Sequence, residues 1–452
     1  MTQTFREELA VAQYQAIERV VDLLDPKKNT LYGMATEEAR DRLAAGGAAA
    51  LRDLDGQFAL VATRGQHVLL ARSIGRPLRY FIAKRAAGPC LIAAERIDAI
   101  YRYLQSEGLA DQFHPSYTRM APAHYVTEIA LLGCPDPNPT YERFFTPQRN
   151  ALPADLNAIG RSYIGALHDE VSKWLRHRAA DGPIGICFSG GIDSGSVLLV
   201  AYHAMLRLGM SPARLKAFTL SVDGGGEDVA QARRFLEAVG LTFLWEPIEV
   251  TAREIDWREA IRTTEDYKPL DIQSATMALA LCRGIRKRYP DWRWLIDGDG
   301  GDENLKDYPI EENPELTIRS VLNNLMLYQE GWGVDSIKHS LTYSGGLSRG
   351  YTRTYAPADR CGFDGFSPYT LPSVIAVAEA IPFIELTDWR HDRLYDLKGE
   401  IVTRGIEAIT GCKMPVFAKR RFQHGAAERS AFQNLFPARE ADYRRAFHAI
   451  YE

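Results

Sequence analysis

Apolar and polar positions change their period near residue 150. Ahead of it, residues 58–63, 67–72, 79–84 and 90–94 are short apolar runs with turns at Gly65, Gly75 and Gly88, the pattern of short β-strands. A helical period over 37–54 precedes them, so this part reads as mostly β. Residues 135–155 carry Pro135, Pro137, Pro139, Pro147 and Pro153, and proline at that density interrupts helix and inner strand alike. This places a boundary between a domain at 1–150 and a second at 151–452. Beyond it, a helical stretch at 156–178 leads into alternation. Strands are expected at 184–188, 215–220, 241–247 and 294–297, and helices at 194–208, 228–239 and 274–289. Such alternation predicts an α/β fold: a doubly wound parallel sheet covered by helices, with ligands at the carboxyl ends of its strands. From about residue 316 the chain reads as mainly helical, with a second Gly-rich stretch at 343–350.

Composition narrows the function classes. The 452 residues carry 54 Lys and Arg against 58 Asp and Glu, a net charge of −4, which offers no general attraction to nucleic acid or anionic membrane. No apolar stretch approaches the roughly 18 residues that span a bilayer, and the polar first residues lack the apolar core of a secretory signal. A cytoplasmic location is expected, with small-molecule partners and a homodimer as one possible assembly. Cys90, Cys134, Cys187, Cys282, Cys361 and Cys412 are scattered without a CxxC pair, so buried thiols are expected rather than a zinc site.

The candidate chemistry starts at residues 184–199, IGICFSGGIDSGSVLL. An apolar strand ends in Ser189, Gly190, Gly191, Ile192, Asp193 and Ser194 and runs directly into an apolar helix. Small residues there let backbone N–H groups and the positive helix end face an anion. Asp193 beside a polyphosphate calls for a cation such as Mg²⁺; the plainer alternative is a Gly-rich turn with Asp193 as helix cap. A second strand end, LIDGDGGDENLKDY at 295–308, crowds Asp297, Asp299, Asp302 and Glu303 among Gly298, Gly300 and Gly301. These acids repel one another unless a cation or basic side chains neutralise them. A Mg²⁺ shared by Asp193 and Asp302 is the economical reading, a solvated acidic turn the plain one.

Ser189-Gly190-Gly191-Ile192-Asp193-Ser194 resembles the SGGxDS pyrophosphate loop of ATP pyrophosphatases. Within that group the chain is similar to asparagine synthetase, β-lactam synthetase and carbapenam synthetase. The resemblance implies ATP and Mg²⁺ as cofactors, with a nucleotide set of Ser189, Gly190, Gly191, Asp193, Ser194, Leu220, Gly298, Gly300 and Gly301. It implies Asp193 and Asp302 as the metal aspartates. Asp299 matches a position that is acidic in asparagine synthetase and tyrosine in the lactam-forming relatives. Lys419, followed by Gly425 six residues on, matches a lysine in a segment that closes over the active site, so Lys419 and Asp299 are the expected catalytic residues. On charge alone the run at 419–421 reads as a solvated basic edge. Weaker matches are Glu227-Asp228, the 364–369 stretch without the family's arginine, Ile272-Gln273-Ser274, and Phe432.

Residues 55–60, Leu69 to Arg72, Gly75, Pro77-Leu78 and 93–95 resemble the later half of a glutaminase domain. An amino-terminal cysteine nucleophile is missing, since Thr2 follows Met1, so the nitrogen is not expected to come from glutamine within this chain. The resemblance thus implies an AMP-forming C–N ligase. It would join a carboxylate to ammonia, hydroxylamine or another amine, with natural product biosynthesis as the suggested setting. Intramolecular lactam formation is the alternative, weakened by Asp299 in place of tyrosine. A non-catalytic ATP-binding scaffold and a transfer-RNA-modifying enzyme are the remaining readings.

Overall fold

The computed structural model describes residues 19–85, 88–130, 139–307, 354–418, 425–426 and 429–452. The described residues up to Phe145 form one compact unit and those from Thr146 a second.

Two four-stranded sheets build the first unit. One orders its strands Arg19–Asp22, Cys90–Ala94, Arg79–Ala83, Arg119–Met120; the other Thr140–Arg143, Tyr125–Ala130, His67–Arg72, Ala59–Arg64. Side chains alternate along each strand, so every sheet has two faces to cover. Ala59, Val61, Val68 and Leu70 of one sheet meet Tyr80, Leu91 and Ala93 of the other in a shared core. The opposite faces take a helix each. Leu60, Leu69 and Ala71 pack on Ala39 and Leu43, while Phe81, Cys90 and Ile92 pack on Ile100 and Leu104. The layers therefore run helix, sheet, sheet, helix. The helix expected over 37–54 is Thr36–Gly46 instead, because Gly47 turns to φ 57° and the chain resumes in a short 3₁₀ turn at Ala49–Leu51. Helix Ile97–Ser106 and strand Tyr125–Ala130 were not anticipated by the pattern.

In the second unit, helix α1 (Leu156–His177) precedes strand β1 (Ile184–Cys187). There follow α2 (Ile192–Arg207), β2 (Leu215–Val222), α3 (Asp228–Val239), β3 (Trp245–Val250), α4 (Trp257–Thr264), α5 (Pro269–Arg288), β4 (Trp294–Ile296), β5 (Asp364–Phe366) and α6 (Leu394–Thr410). The strands pair in parallel in the order β3-β2-β1-β4-β5. This order reverses direction between β1 and β4, so the loops leaving those two neighbours diverge and open a crevice at their carboxyl ends. Both loops singled out in the sequence leave from these strands. The strand expected at 241–247 lies later, at Trp245–Val250, because Thr242–Leu244 winds into a 3₁₀ turn that buries Leu244.

Helix α6 reaches the site by an unusually close approach to α1. A Cβ on Gly160 would stand 2.6 Å from the Ile401 carbonyl and 2.8 Å from the Gly405 nitrogen, and one on Gly405 would strike the Gly160 backbone. The two glycines let the helix backbones touch, and Leu397, Ile401 and Val402 then bury against the core under β1. No described helix is long and apolar enough to cross a membrane.

Candidate active site

The crevice is a cavity of about 190 Å³ lined from both loops by Ser189, Gly191, Asp193, Ser194, Gly298, Asp299 and Asp302, with Leu220 and Asp228 beside them. At its floor lies Lys398, 2 % exposed in its side chain. The ammonium donates to Asp193 Oδ2 at 2.7 Å and to Asp302 Oδ1 at 2.5 Å, and Asp307 Oδ2 stands 3.6 Å away. The acids that seemed to require a neutralising partner thus have one from the chain itself. Burial alone would lower the lysine's affinity for its proton, but Asp193, Asp302 and Asp307 outweigh it and hold that affinity well above the ordinary value.

Asp193 sits in the first turn of α2, whose N-cap is Gly191, so the aspartate does not act as the helix cap. Its side chain is 23 % exposed, yet Oδ1 is buried without a hydrogen-bond partner. Loss of water around it pushes its carboxyl up to about 7, with Lys398 opposing and Asp302 adding to the rise. The two loops interlock through glycine. A Cβ on Gly298 would stand 2.8 Å from the backbone of Asp193 and Ser194, and one on Gly301 would strike the Asp193 carboxylate. Gly190, Gly300 and Gly301 are not among the residues that line the cavity. Gly190 backs onto Ala232 of α3 and Gly300 onto Tyr369, so their place is in packing the loops. The Ser189 and Ser194 hydroxyls lie 3.2 Å apart, and Ser194 Oγ also accepts the Ser189 N–H at 3.2 Å.

Behind the acidic loop, Asp297 is buried. Ser367 donates to its Oδ2 at 2.9 Å and the Asp299 N–H to its Oδ1 at 2.9 Å. Thr354 donates to Asp299 Oδ2 at 2.5 Å. Burial first, and then the neighbouring Asp299 charge, raise the Asp297 carboxyl well above its usual range. Underneath, Ser196 of α2 and the Tyr369 hydroxyl pair at 2.6 Å, and Asn304 donates to the Tyr369 carbonyl at 2.9 Å, tying α2 to the acidic loop.

Lys419 lies outside the described residues. Phe417 and Ala418 just before it line the cavity, and Gly425 after it packs against the carboxylate of Asp228, another lining residue. Ala426 accepts the Val222 N–H at 3.0 Å. Phe432 is buried against Phe436, with ring centroids 4.8 Å apart. Glu227 precedes α3 without a side-chain cap bond, and Gln273 of α5 lies beside the Tyr443 hydroxyl. The Gly-rich stretch at 343–350 and Cys134 also lie outside the described residues; the five described cysteines are free thiols.

Sequence reading missed Lys398, Thr354 and Asp307, and held Ser367 only within the weak match at 364–369. For Lys398 a signal existed: it interrupts the apolar stripe of Leu394, Leu397, Ile401 and Val402 on one helix face, where a lysine is costly unless paired. Among the described residues, no group of three or more His, Cys, Asp or Glu side chains is arranged to hold a metal. No curated protein matches the chain. Residues 166–351, a span that includes β1, β4 and both loops, match the asparagine synthase family model.

Proposed function

We propose that the second unit activates a substrate carboxylate with ATP, forming AMP and pyrophosphate, and passes the acyl group to a nitrogen nucleophile. The observation that carries this reading is the convergence of two strand-end loops on one buried lysine at the floor of a cavity. A Gly-rich turn, two hydroxyls and a helix start face the place where phosphates would lie. A carboxylate oxygen attacks the α-phosphorus, the α–β anhydride bond breaks, and pyrophosphate leaves. The amine then attacks the acyl carbon and AMP departs.

The residues fit a divalent ion of the Mg²⁺ class, which is bound by one or two carboxylates with phosphate oxygens completing its shell. Asp193, whose Oδ1 is orphaned beside the cavity, and Asp302 would hold it. When bound, Mg²⁺ neutralises charge on the departing pyrophosphate. Lys398 keeps the two aspartates together and in place, a positioning role fixed by its two short hydrogen bonds. Lys419 follows Ala418 at the cavity wall and is assigned to the α-phosphate and the tetrahedral intermediate.

Asp299 is assigned as the proton acceptor for the attacking nitrogen. Asp297 behind it is buried and resists ionisation, and Asp299 lines the cavity. An aspartate rather than a tyrosine at this position favours an intermolecular amide over ring closure. Ammonia, hydroxylamine or a small amine is the proposed donor. The test is acid-dependent exchange of labelled pyrophosphate into ATP. Exchange in the wild type that is lost in Asp193→Ala and Asp302→Ala supports the reading; unchanged exchange in those variants removes the assigned site.

A further inference from the structure

The chain leaves the acidic loop through a residue with an unusual backbone. After the short helical turn Gly301–Asn304, Lys306 adopts φ 58°, in the left-handed region that costs a side chain other than glycine's about 1–2 kcal/mol. The turn sends the Asp307 N–H back to the Asp302 carbonyl at 3.0 Å. Helices commonly end on this bond, and glycine is the usual residue at the left-handed position. Lysine stands there instead.

Its ammonium is buried as well. Lys306 is 2 % exposed, and Nζ donates to Glu379 Oε1, whose side chain is 3 % exposed. Glu379 ends the helix Pro372–Glu379, and that end is itself fastened. Arg149 Nε stands 3.5 Å from Glu379 Oε2, while the Glu379 and Ala380 carbonyls accept the N–H groups of Asn150 at 3.1 Å and Leu152 at 2.9 Å. Withdrawing two ions from water costs several kcal/mol for each, and an apolar pair of similar volume often holds a core as well or better. Two unfavourable choices, a strained backbone and a buried charge, thus coincide at one residue. Its neighbours on either side explain what the turn serves. Leu305 packs into the core under β1, and Asp307 lines the cavity with Oδ2 3.6 Å from Lys398 Nζ. Asp302, on whose carbonyl the turn closes, meets the same ammonium at 2.5 Å.

We infer that Lys306 and Glu379 are positioning residues: their buried pair locks the turn that sets Asp302 and Asp307 against Lys398, and so keeps the assigned cation site formed. The inference rests on the ligase reading for the metal; the lock itself rests on the contacts of Lys306. Neither residue touches the reacting groups.

The test titrates Mn²⁺, standing in for Mg²⁺ and followed by electron paramagnetic resonance, into wild type, Lys306→Gly, Glu379→Gln and the double variant, with and without ATP. Melting temperature is recorded for each protein, together with the Mg²⁺ dependence of pyrophosphate exchange on a panel of amino, keto and aromatic acids. Glycine accepts φ 58° without strain, so Lys306→Gly removes the ammonium and leaves the turn possible. Each single variant is expected to weaken Mn²⁺ binding about tenfold or more, the scale for groups that orient metal ligands from behind. The Mg²⁺ concentration for half-maximal exchange rises by the same factor, and KM for the acid stays put. The double variant binds Mn²⁺ no more weakly than Lys306→Gly, as for two members of one pair. A merely structural pair would lower the melting temperature and leave metal affinity alone.

Wild-type Mn²⁺ affinity in Lys306→Gly, or losses that multiply in the double variant, overturns the inference and leaves the ligase reading intact. Where Lys306→Gly does not fold, Glu379→Gln decides alone by the same criterion. Mn²⁺ binding that weakens in the variants, with no exchange on any acid of the panel, upholds the lock and defeats the ligase reading. A wild type that binds no Mn²⁺ with or without ATP defeats both.

Discussion

Both units bury charge, and they dispose of it differently. In the first, Arg72, Arg76 and Arg79 are among the largest fully buried side chains. Arg72 donates through Nε to the Ala121 carbonyl at 2.6 Å, Arg79 to the Glu95 carbonyl at 2.5 Å, and Arg76 faces the Glu95 carboxylate at 3.6 Å. Two of those charges reach backbone carbonyls and the third a carboxylate of the same unit, and none of the three residues is among those lining the cavity. In the second unit, Lys398, Asp193 and Asp302 converge on the wall of a cavity, and Asp193 keeps an oxygen unmet. Buried charge that lies away from the cavity is read as scaffold; buried charge that lines it is a candidate for chemistry.

The strongest way to break this contrast is Lys398→Met. Removing the ammonium strands three acids, and loss of one partner from a buried ionic cluster costs about 3–5 kcal/mol. Pyrophosphate exchange is expected to fall below detection, with a drop in melting temperature measured by calorimetry. Next, Asp302→Asn is expected to lower exchange by about a hundredfold or more, as for loss of a transition-state contact. In the first unit, Arg79→Met should do the reverse: a loss of about 3 kcal/mol in stability, from the stranded carbonyl and lost packing, with exchange per folded molecule unchanged. A fall in exchange there would erase the distinction. Gly160→Ala is expected to cost about 1–3 kcal/mol by pushing α6 from α1, and to weaken exchange by shifting Lys398.

Taken per pH unit, the smallest effect is a pH dependence. The Asp193 carboxyl is raised from 3.8 to about 7 in the folded protein, so the folded chain keeps a proton that the unfolded chain has released between about pH 4 and pH 7. This group therefore favours the ligand-free fold below pH 4, and that favour is lost as pH rises through 7, at a slope of at most about 1.4 kcal/mol per pH unit. Denaturant titrations across this range should show the slope in wild type and its loss in Asp193→Asn.

How much of this was legible in the chain depended on how local the determinants are. Ser189 to Ser194 and Gly298 to Asp302 each follow an apolar strand within a dozen residues, so their chemistry could be read directly. The parallel sheet follows from the alternation rule, which does not fix the strand order that brings β1 beside β4, and α3 fell on its expected bounds. Lys398 could not be paired with Asp193 from sequence, because 205 residues separate them and only the contact of Gly160 with Gly405 brings α6 over the site. Thr354 and Ser367 are equally remote from the acids they serve, 55 and 70 residues along the chain. Helix ends failed where glycine or a 3₁₀ turn intervened, as at Gly47 and Thr242–Leu244.

The central claim is that Asp193 and Asp302, positioned by Lys398, would hold the cation that carries the diphosphate end of ATP while a carboxylate takes the AMP. It is tested most directly by identifying the nucleotide product, using ³¹P NMR on wild type, Asp193→Asn and Lys398→Met supplied with ATP, a competent acid and an amine. The account expects AMP and pyrophosphate from the wild type and neither from the variants. ADP and orthophosphate from the wild type, or AMP formed equally by all three proteins, would contradict it.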